Sequence, residues 1–300
     1  MGGIVHLLVE PLTYSFMGRG LLAAVGVGVV SAVVGSYVVL RGMAFFGDAL
    51  SHTILPGVAL GYLVGGGASG PLFWWGLATA VLASISIGAL SQGAQIKEDT
   101  AIGIIFAGMF AFGIALISTV RGYAVDLTHF LFGNVLGVGW TDLRLTLGFG
   151  LLVVLTIVTF YKEFLVISFD PILAKTIRLP VNLFYYLLLV LIAVTIMVSL
   201  QTVGIALMLA MLVTPAATAS LLARRLPLMM VLGAAIGALS GVIGLYLSYY
   251  GGVASGAAIV LVTTAFFLLV FLFVPHRGWI WRSGLVARRA LARSGASAGE

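Results

Sequence analysis

Arg41-Gly-Met-Ala-Phe-Phe-Gly-Asp48-Ala-Leu-Ser-His52-Thr-Ile-Leu-Pro56-Gly57 follows directly on residues 17–40, an apolar run with a single charge, Arg19. Such a run is long enough to cross a bilayer as one helix. The stretch after it then sets an acid and an imidazole four residues apart, a spacing that puts both side chains on one helix face. A carboxylate near mid-bilayer costs roughly 2.5–3.5 kcal/mol even on the lenient insertion scale. Something must offset that cost. A bound divalent cation would do so. Alternatively, Asp48 caps a helix N-terminus and His52 is a core histidine bonded to a carbonyl. The pair alone does not choose between these.

Composition sets the class. The 300 residues are 62% apolar and 8% charged, with a mean hydropathy of +1.22. Soluble domains carry about 25% charged residues. The chain therefore reads as an all-α, polytopic transmembrane helical bundle, and no strands of alternating polarity suggest a barrel. Glycine, at 39 residues, suits closely packed membrane helices. The net charge of +6 does not signal nucleic-acid binding, because no basic run is interleaved with aromatics. The absence of cysteine excludes disulfides and thiolate ligands. The start lacks a cationic leader pattern, so the first apolar segment is expected to stay in the membrane as a helix.

Residues 1–16 are weakly amphipathic, interrupted by Pro11, and expected at the interface. After the first span, others are expected at about 48–66, 71–92, 101–119, 143–162, 183–200, 203–222, 228–249 and 253–274. That makes about nine crossings, or eight if one short segment fails to cross. Residues 120–142 hold Asp126, His129, Asn134 and Asp142 and read as an external loop with a short or re-entrant helix. With nine spans, twelve of the fifteen basic residues fall on one side, and only Arg19, Arg121 and Arg144 on the other. The positive-inside rule then places the amino terminus outside and the carboxyl terminus in the cytoplasm. Residues 1–275 are expected to form one transmembrane domain, followed by a basic cytoplasmic tail, 276–300, suited to anionic lipid and expected to end in disorder. Gly233, Gly237 and Gly241 recur every fourth residue, a strip that lets another backbone approach closely.

Three further segments carry information. Asp170 then Pro171 is a helix-start signal, an acceptor at the cap and proline at the first position. Pro180 stops the helix after about two turns, too short to be stable alone. It needs a docking surface, on its own bundle or on a partner. A phosphate-binding loop requires Gly-Lys-[Ser/Thr], and Lys97, Lys162 and Lys175 follow Ile, Tyr and Ala instead. Energy must therefore come from an ion gradient, from a separate ATPase, or from nothing. Finally, Gln201 and Thr202 open one span, and Pro215 frees a carbonyl within it that nearby hydroxyls can satisfy. That is ordinary kink chemistry, with a role in a pathway or gate as the sharper alternative.

Together, the Arg41–Gly57 stretch, Glu98-Asp-Thr-Ala-Ile-Gly103, Phe169-Asp-Pro171 with Ala174, and Gln201-Thr-Val-Gly204 through Pro215-Ala-Ala-Thr218 resemble the membrane permeases of ATP-binding-cassette importers of manganese, zinc or iron. The resemblance covers roughly residues 10–275, in order. One departure is Arg178, where the family pattern leads one to expect glycine. The resemblance implies a type II importer-like fold in the cell membrane and a homodimer working with two cytoplasmic ATPases and an external metal-binding protein. It also implies that Asp48 and His52 line the path, and that Phe169, Asp170, Pro171 and Ala174 belong to the coupling helix. No permanently bound cofactor is implied; Mn2+, Zn2+ or Fe2+ is cargo. Two ligands per chain are too few for such an ion, but a two-fold axis would supply two Asp and two His.

Rival readings are a gradient-driven secondary transporter, for which Asp48 is nearly the only coupling carboxylate in a span, and an importer of an organic ligand such as a siderophore or cobalamin, which gives the pair no role. An intramembrane enzyme would need further ligands or a nucleophile.

Overall fold

The computed structural model describes residues 9–65, 69–119 and 135–274. Among them every regular element is helical, with twelve α-helices and two 3-10 turns, Glu10–Thr13 and Val135–Gly137. The α-helices run α1 Ser15–Leu40, α2 Ala44–Thr53, α3 Leu55–Gly65, α4 Ser69–Gly93, α5 Glu98–Ser118 and α6 Trp140–Thr159. They continue with α7 Tyr161–Phe169, α8 Pro171–Thr176, α9 Val181–Val203, α10 Ile205–Leu222, α11 Leu226–Gly251 and α12 Ser255–Phe273. Eight of these, α1, α4, α5, α6 and α9 to α12, are long and apolar enough to cross a membrane. The chain is a multi-pass membrane protein.

The expected span at 48–66 is not among the eight. It is broken at Ile54 into α2 and α3. Pro56 has no N–H for the His52 carbonyl four residues back, and its ring disfavours helical geometry at Leu55. The two pieces still behave as one wall, since both pack along α5. Where the break meets α5, Gly113 leaves room for Leu55 and Pro56, and a Cβ there would come within 2.9 Å of the Leu55 side chain.

Burial separates the helices by role. Among the spans, α9 and α1 are the most deeply buried in the bundle, and α5 and α12 the most open to its surroundings. The central pair touch each other, and α9 packs against α4 while α1 packs against α10 and α11. The glycine strip explains the second contact. Gly237 faces Gly28 so closely that a Cβ on Gly237 would lie 2.7 Å from the Gly28 carbonyl oxygen, and Gly241 meets Ala24. Because lipid tails are as apolar as the side chains, tight van der Waals contact between backbones has to hold such helices together.

Turn chemistry closes the elements. Gly204 (φ 79°) separates α9 from α10, and Gly252 (φ 63°) ends α11 in the left-handed conformation. The expectation of a loop through residue 142 needs correction at its end. Asp142 lies in the first turn of α6, where its Oδ2 accepts from the Gly139 N–H at 3.2 Å. An acid three residues into a helix satisfies an orphan donor and favours the helix start. Asp126, His129 and Asn134 lie outside the described residues, as do residues 1–8 and the basic tail 276–300.

Replacing Gly237 by valine sets a branched side chain against backbone that cannot yield. Thermal unfolding in detergent should show a loss of stability of about 1–3 kcal/mol, whereas Gly103→Ala, at an open position inside α5, should raise it by about 0.5–1 kcal/mol.

Candidate functional site

Asp48 and His52 stand on α2 with Nε2 of the imidazole 3.8 Å from Oδ1 of the carboxylate. At 1.5 Å per residue they lie about 6 and 12 Å into the helix from its start at Ala44. Ala44, Phe45, Asp48 and His52 make up the open face of α2, while Phe46, Gly47, Ala49, Leu50, Ser51 and Thr53 are buried. Small residues on the buried side matter, since a Cβ on Gly47 would run into the Leu212 side chain of α10. The hydroxyls of Ser51 and Thr53 donate to the Asp48 and Leu50 carbonyls of their own helix, so the open face offers two donor groups, carboxylate and imidazole. Asp48 is not an N-cap. It sits in the second turn of its helix, and that bland reading fails.

The second wall of the site is α5. Phe106 and Phe110 stack on each other (5.7 Å between centroids) and both approach the His52 ring, at 6.0 and 5.7 Å. Phe45 closes the row edge-on to Phe106. Three phenyl rings thus limit water around one side of the pair and hold the imidazole's orientation. Among the described residues no third His, Asp or Glu joins these two. One chain therefore offers one oxygen ligand group and one nitrogen ligand, and a transition metal needs about four or more ligands.

What holds α2 in place was not foreseen. Arg41, in the turn between α1 and α2, donates through Nη2 to Glu98 Oε1 at 2.8 Å, and its guanidinium lies 4.9 Å from the centre of the Tyr185 ring of α9. The pair is largely shielded, with 13% and 27% of the two side chains exposed. Gly42 makes the turn possible at φ 70°. Ion pair and ring together tie the start of α2, which carries Asp48 and His52, to the start of α5, which carries Phe106 and Phe110. The signal available in the sequence was two opposite charges at the ends of two separate spans; their contact could not be read from it.

At the same end, Asp170 caps α8. Its Oδ1 accepts from the Ile172 and Leu173 N–H groups at 3.0 and 2.9 Å, with Pro171 at the first position. Ala174 is buried against its surroundings, while Phe169 and Ile172 are 65% and 78% exposed. The four expected coupling residues thus form one capped turn with an uncovered apolar surface. Arg178 resolves the departure from the family pattern. Its φ is 59°, and the Leu179 N–H donates to the Ala174 carbonyl at 3.0 Å, the helix ending in which glycine is the favoured residue.

Gln201, Thr202 and Pro215 are not brought into the Asp48–His52 face by the bonds they make. Gln201 Nε2 donates to Asp142 Oδ1 at 2.9 Å, linking α9 to α6 at the end opposite Arg41. The Thr202 hydroxyl donates within its own helix. Pro215 is buried inside α10. The hydroxyls of Thr218 and Ser220 donate to the Thr214 and Ala217 carbonyls, not to the Met211 carbonyl that the proline frees.

A profile of the ABC 3 transport family matches residues 13–274. The chain is 46% identical, over 94% of its own length and 95% of the relative's, to the manganese transport system membrane protein MntC of Halalkalibacterium halodurans. It is 38% identical to the chelated iron transport system membrane protein YfeD of Yersinia pestis, over 91% and 90% of the two chains. Its fold matches a chain of PsaBC from Streptococcus pneumoniae in complex with Fab, with a TM-score of 0.79, 40% identity, and 91% and 97% coverage.

Two substitutions test the local arguments. Glu98→Ala leaves a shielded guanidinium without its carboxylate and should lower stability by about 2 kcal/mol, read as a fall in the unfolding temperature. Arg178→Gly relieves the left-handed backbone and should raise stability by at most about 1 kcal/mol, part of the gain being offset by glycine's extra freedom in the unfolded chain.

Proposed function

The chain belongs to the ABC 3 transport family, and from that premise we propose that it is the permease subunit of an importer that moves a divalent transition metal ion into the cytoplasm, driven by ATP hydrolysis in a separate subunit. The observation that carries this reading is the open face of α2, where a carboxylate and an imidazole lie 3.8 Å apart beside phenyl rings. Manganese comes first as cargo, because an oxygen-plus-imidazole set without sulfur suits it and the MntC relative bears its name. Zinc accepts the same ligands, and iron is named for the YfeD relative.

Two copies of the chain about a two-fold axis bring two Asp48 carboxylates and two His52 imidazoles to one ion. Such a sparse site suits conduction, which needs binding favourable enough to enter and weak enough to leave. The basic end, with Arg41, Arg224 and Arg225, faces the cytoplasm by the positive-inside rule, and the opposite end receives the ion from an external binding protein. At the cytoplasmic end the exposed Phe169 and Ile172 of the capped turn offer the apolar surface that an ATPase would cover. Movement of that turn on ATP binding and hydrolysis, passed through α7 to α9, changes the side to which the Asp48–His52 layer opens. Gln201, Thr202 and Pro215 contribute to the pathway through the helices they brace rather than as ligands. The chain itself breaks no covalent bond.

The test is ATP-dependent uptake into vesicles holding the chain with its ATPase and binding protein, with manganese, zinc and ferrous iron in competition. Asp48→Ala should abolish uptake of each metal while the subunits still assemble; uptake at the parent rate by that variant would refute the site.

A further inference from the structure

On the side of the bundle walled by α1, α6 and α11, a cleft of about 420 Å³ separates the three helices, lined by Val33, Val154, Ile157, Val158, Met230 and Val231, among others. Apart from the Tyr161 phenol every side chain in it is apolar. From Tyr161 at the start of α7 back to Val154 on α6, and from Pro227 to Ala234 along α11, the walls rise seven residues, about 10 Å. That is about two-thirds of one leaflet's hydrocarbon.

At its lower end the cleft opens into a second groove of about 540 Å³, which shares Tyr161 and Pro227 with it. The walls change character there. Leu165 and Val166 of α7 face Arg224 and Arg225 in the turn between α10 and α11. Both arginines are exposed, and neither forms an ion pair among the described residues. One acid, Asp170, also lines this groove. Its Oδ1 is held by the Ile172 and Leu173 N–H groups, so its charge is offset by the start of α8. The result is one continuous channel along the bundle surface, hydrocarbon above and cationic below.

We propose that this channel is a binding site for one anionic phospholipid, with its phosphate at Arg224 and Arg225 and an acyl chain in the cleft between α1, α6 and α11. The apolar depth and the basic mouth together select this occupant. A protein segment docking at the mouth would leave the upper cleft unfilled, and a zwitterionic lipid would answer the arginines less well. Each basic side chain near a membrane surface favours anionic lipid by a few-fold, so the two together should give a preference on the order of tenfold.

Native mass spectrometry of the full chain, purified in detergent and given equal amounts of phosphatidylglycerol and phosphatidylcholine with the same acyl chains, reads this directly. One phosphatidylglycerol should be retained with about tenfold preference, and the double variant R224Q/R225Q should bring the ratio near parity. The basic tail is the same in both proteins, so the difference isolates the groove. Ala234→Phe, which fills the cleft from the other side, should lower retention of both lipids, and glycerophosphoglycerol without acyl chains should not displace the bound lipid. Parity in the parent chain, or a preference that survives R224Q/R225Q, would overturn the site. So would displacement by the headgroup alone, which would make it a phosphate site. A double variant that keeps its lipid preference but no longer assembles with the ATPase would assign the arginines to that partner and equally overturn the proposal.

Discussion

Helix α2 carries a carboxylate and an imidazole inside a largely apolar bundle, and its neighbours leave it only one open face. Phe46, Leu50 and Thr53 pack into the bundle, Gly47 lets α10 approach, and the stripe through Phe45, Asp48 and His52 stays open. A carboxylate at membrane depth would be costly without a partner, and under the proposed function the open face is where a cation shared between two copies would supply one.

The surrounding architecture divides into stiff and loose parts for physical reasons. Glycine-to-glycine contact between α1 and α11 and the deep burial of α9 make a closely packed core. The Arg41–Glu98 pair beside the Tyr185 ring fastens α2, with Asp48 and His52, to α5, with its phenyl rings. By contrast, α8 is six residues long and ends on a left-handed arginine. Its helicity depends on the Asp170 cap and on what it docks against. A short element with uncovered apolar residues at the edge of a closely packed bundle is the part of the chain through which, under the proposed function, a partner ATPase would act.

Much of the fold was legible because it rests on composition and on short-range rules. Apolar runs of bilayer length, bounded by arginine and glycine, mark the spans, and Asp170-Pro171 marks a helix start by cap chemistry alone. The span at 48–66 was only half legible. Pro56 announces a break, but whether the two pieces continue one another depends on α5 running beside both. Asp142 was misplaced into a loop because an acid interrupting apolar sequence looks the same whether it ends a loop or caps the helix that follows.

By itself the sequence determined that the chain crosses the membrane many times, that Asp48 and His52 share a helix face, and that no nucleotide-binding loop powers it. Each of these follows from residue type or from contacts within about four residues. Only the tertiary structure decided that Arg41 reaches Glu98 across 57 positions, that Gln201 reaches Asp142 across 59, and that Gly28 meets Gly237. Such partners are selected by how helices pack: a periodic strip such as Gly233, Gly237 and Gly241 announces a close contact, but the order of residues does not say which distant helix makes it.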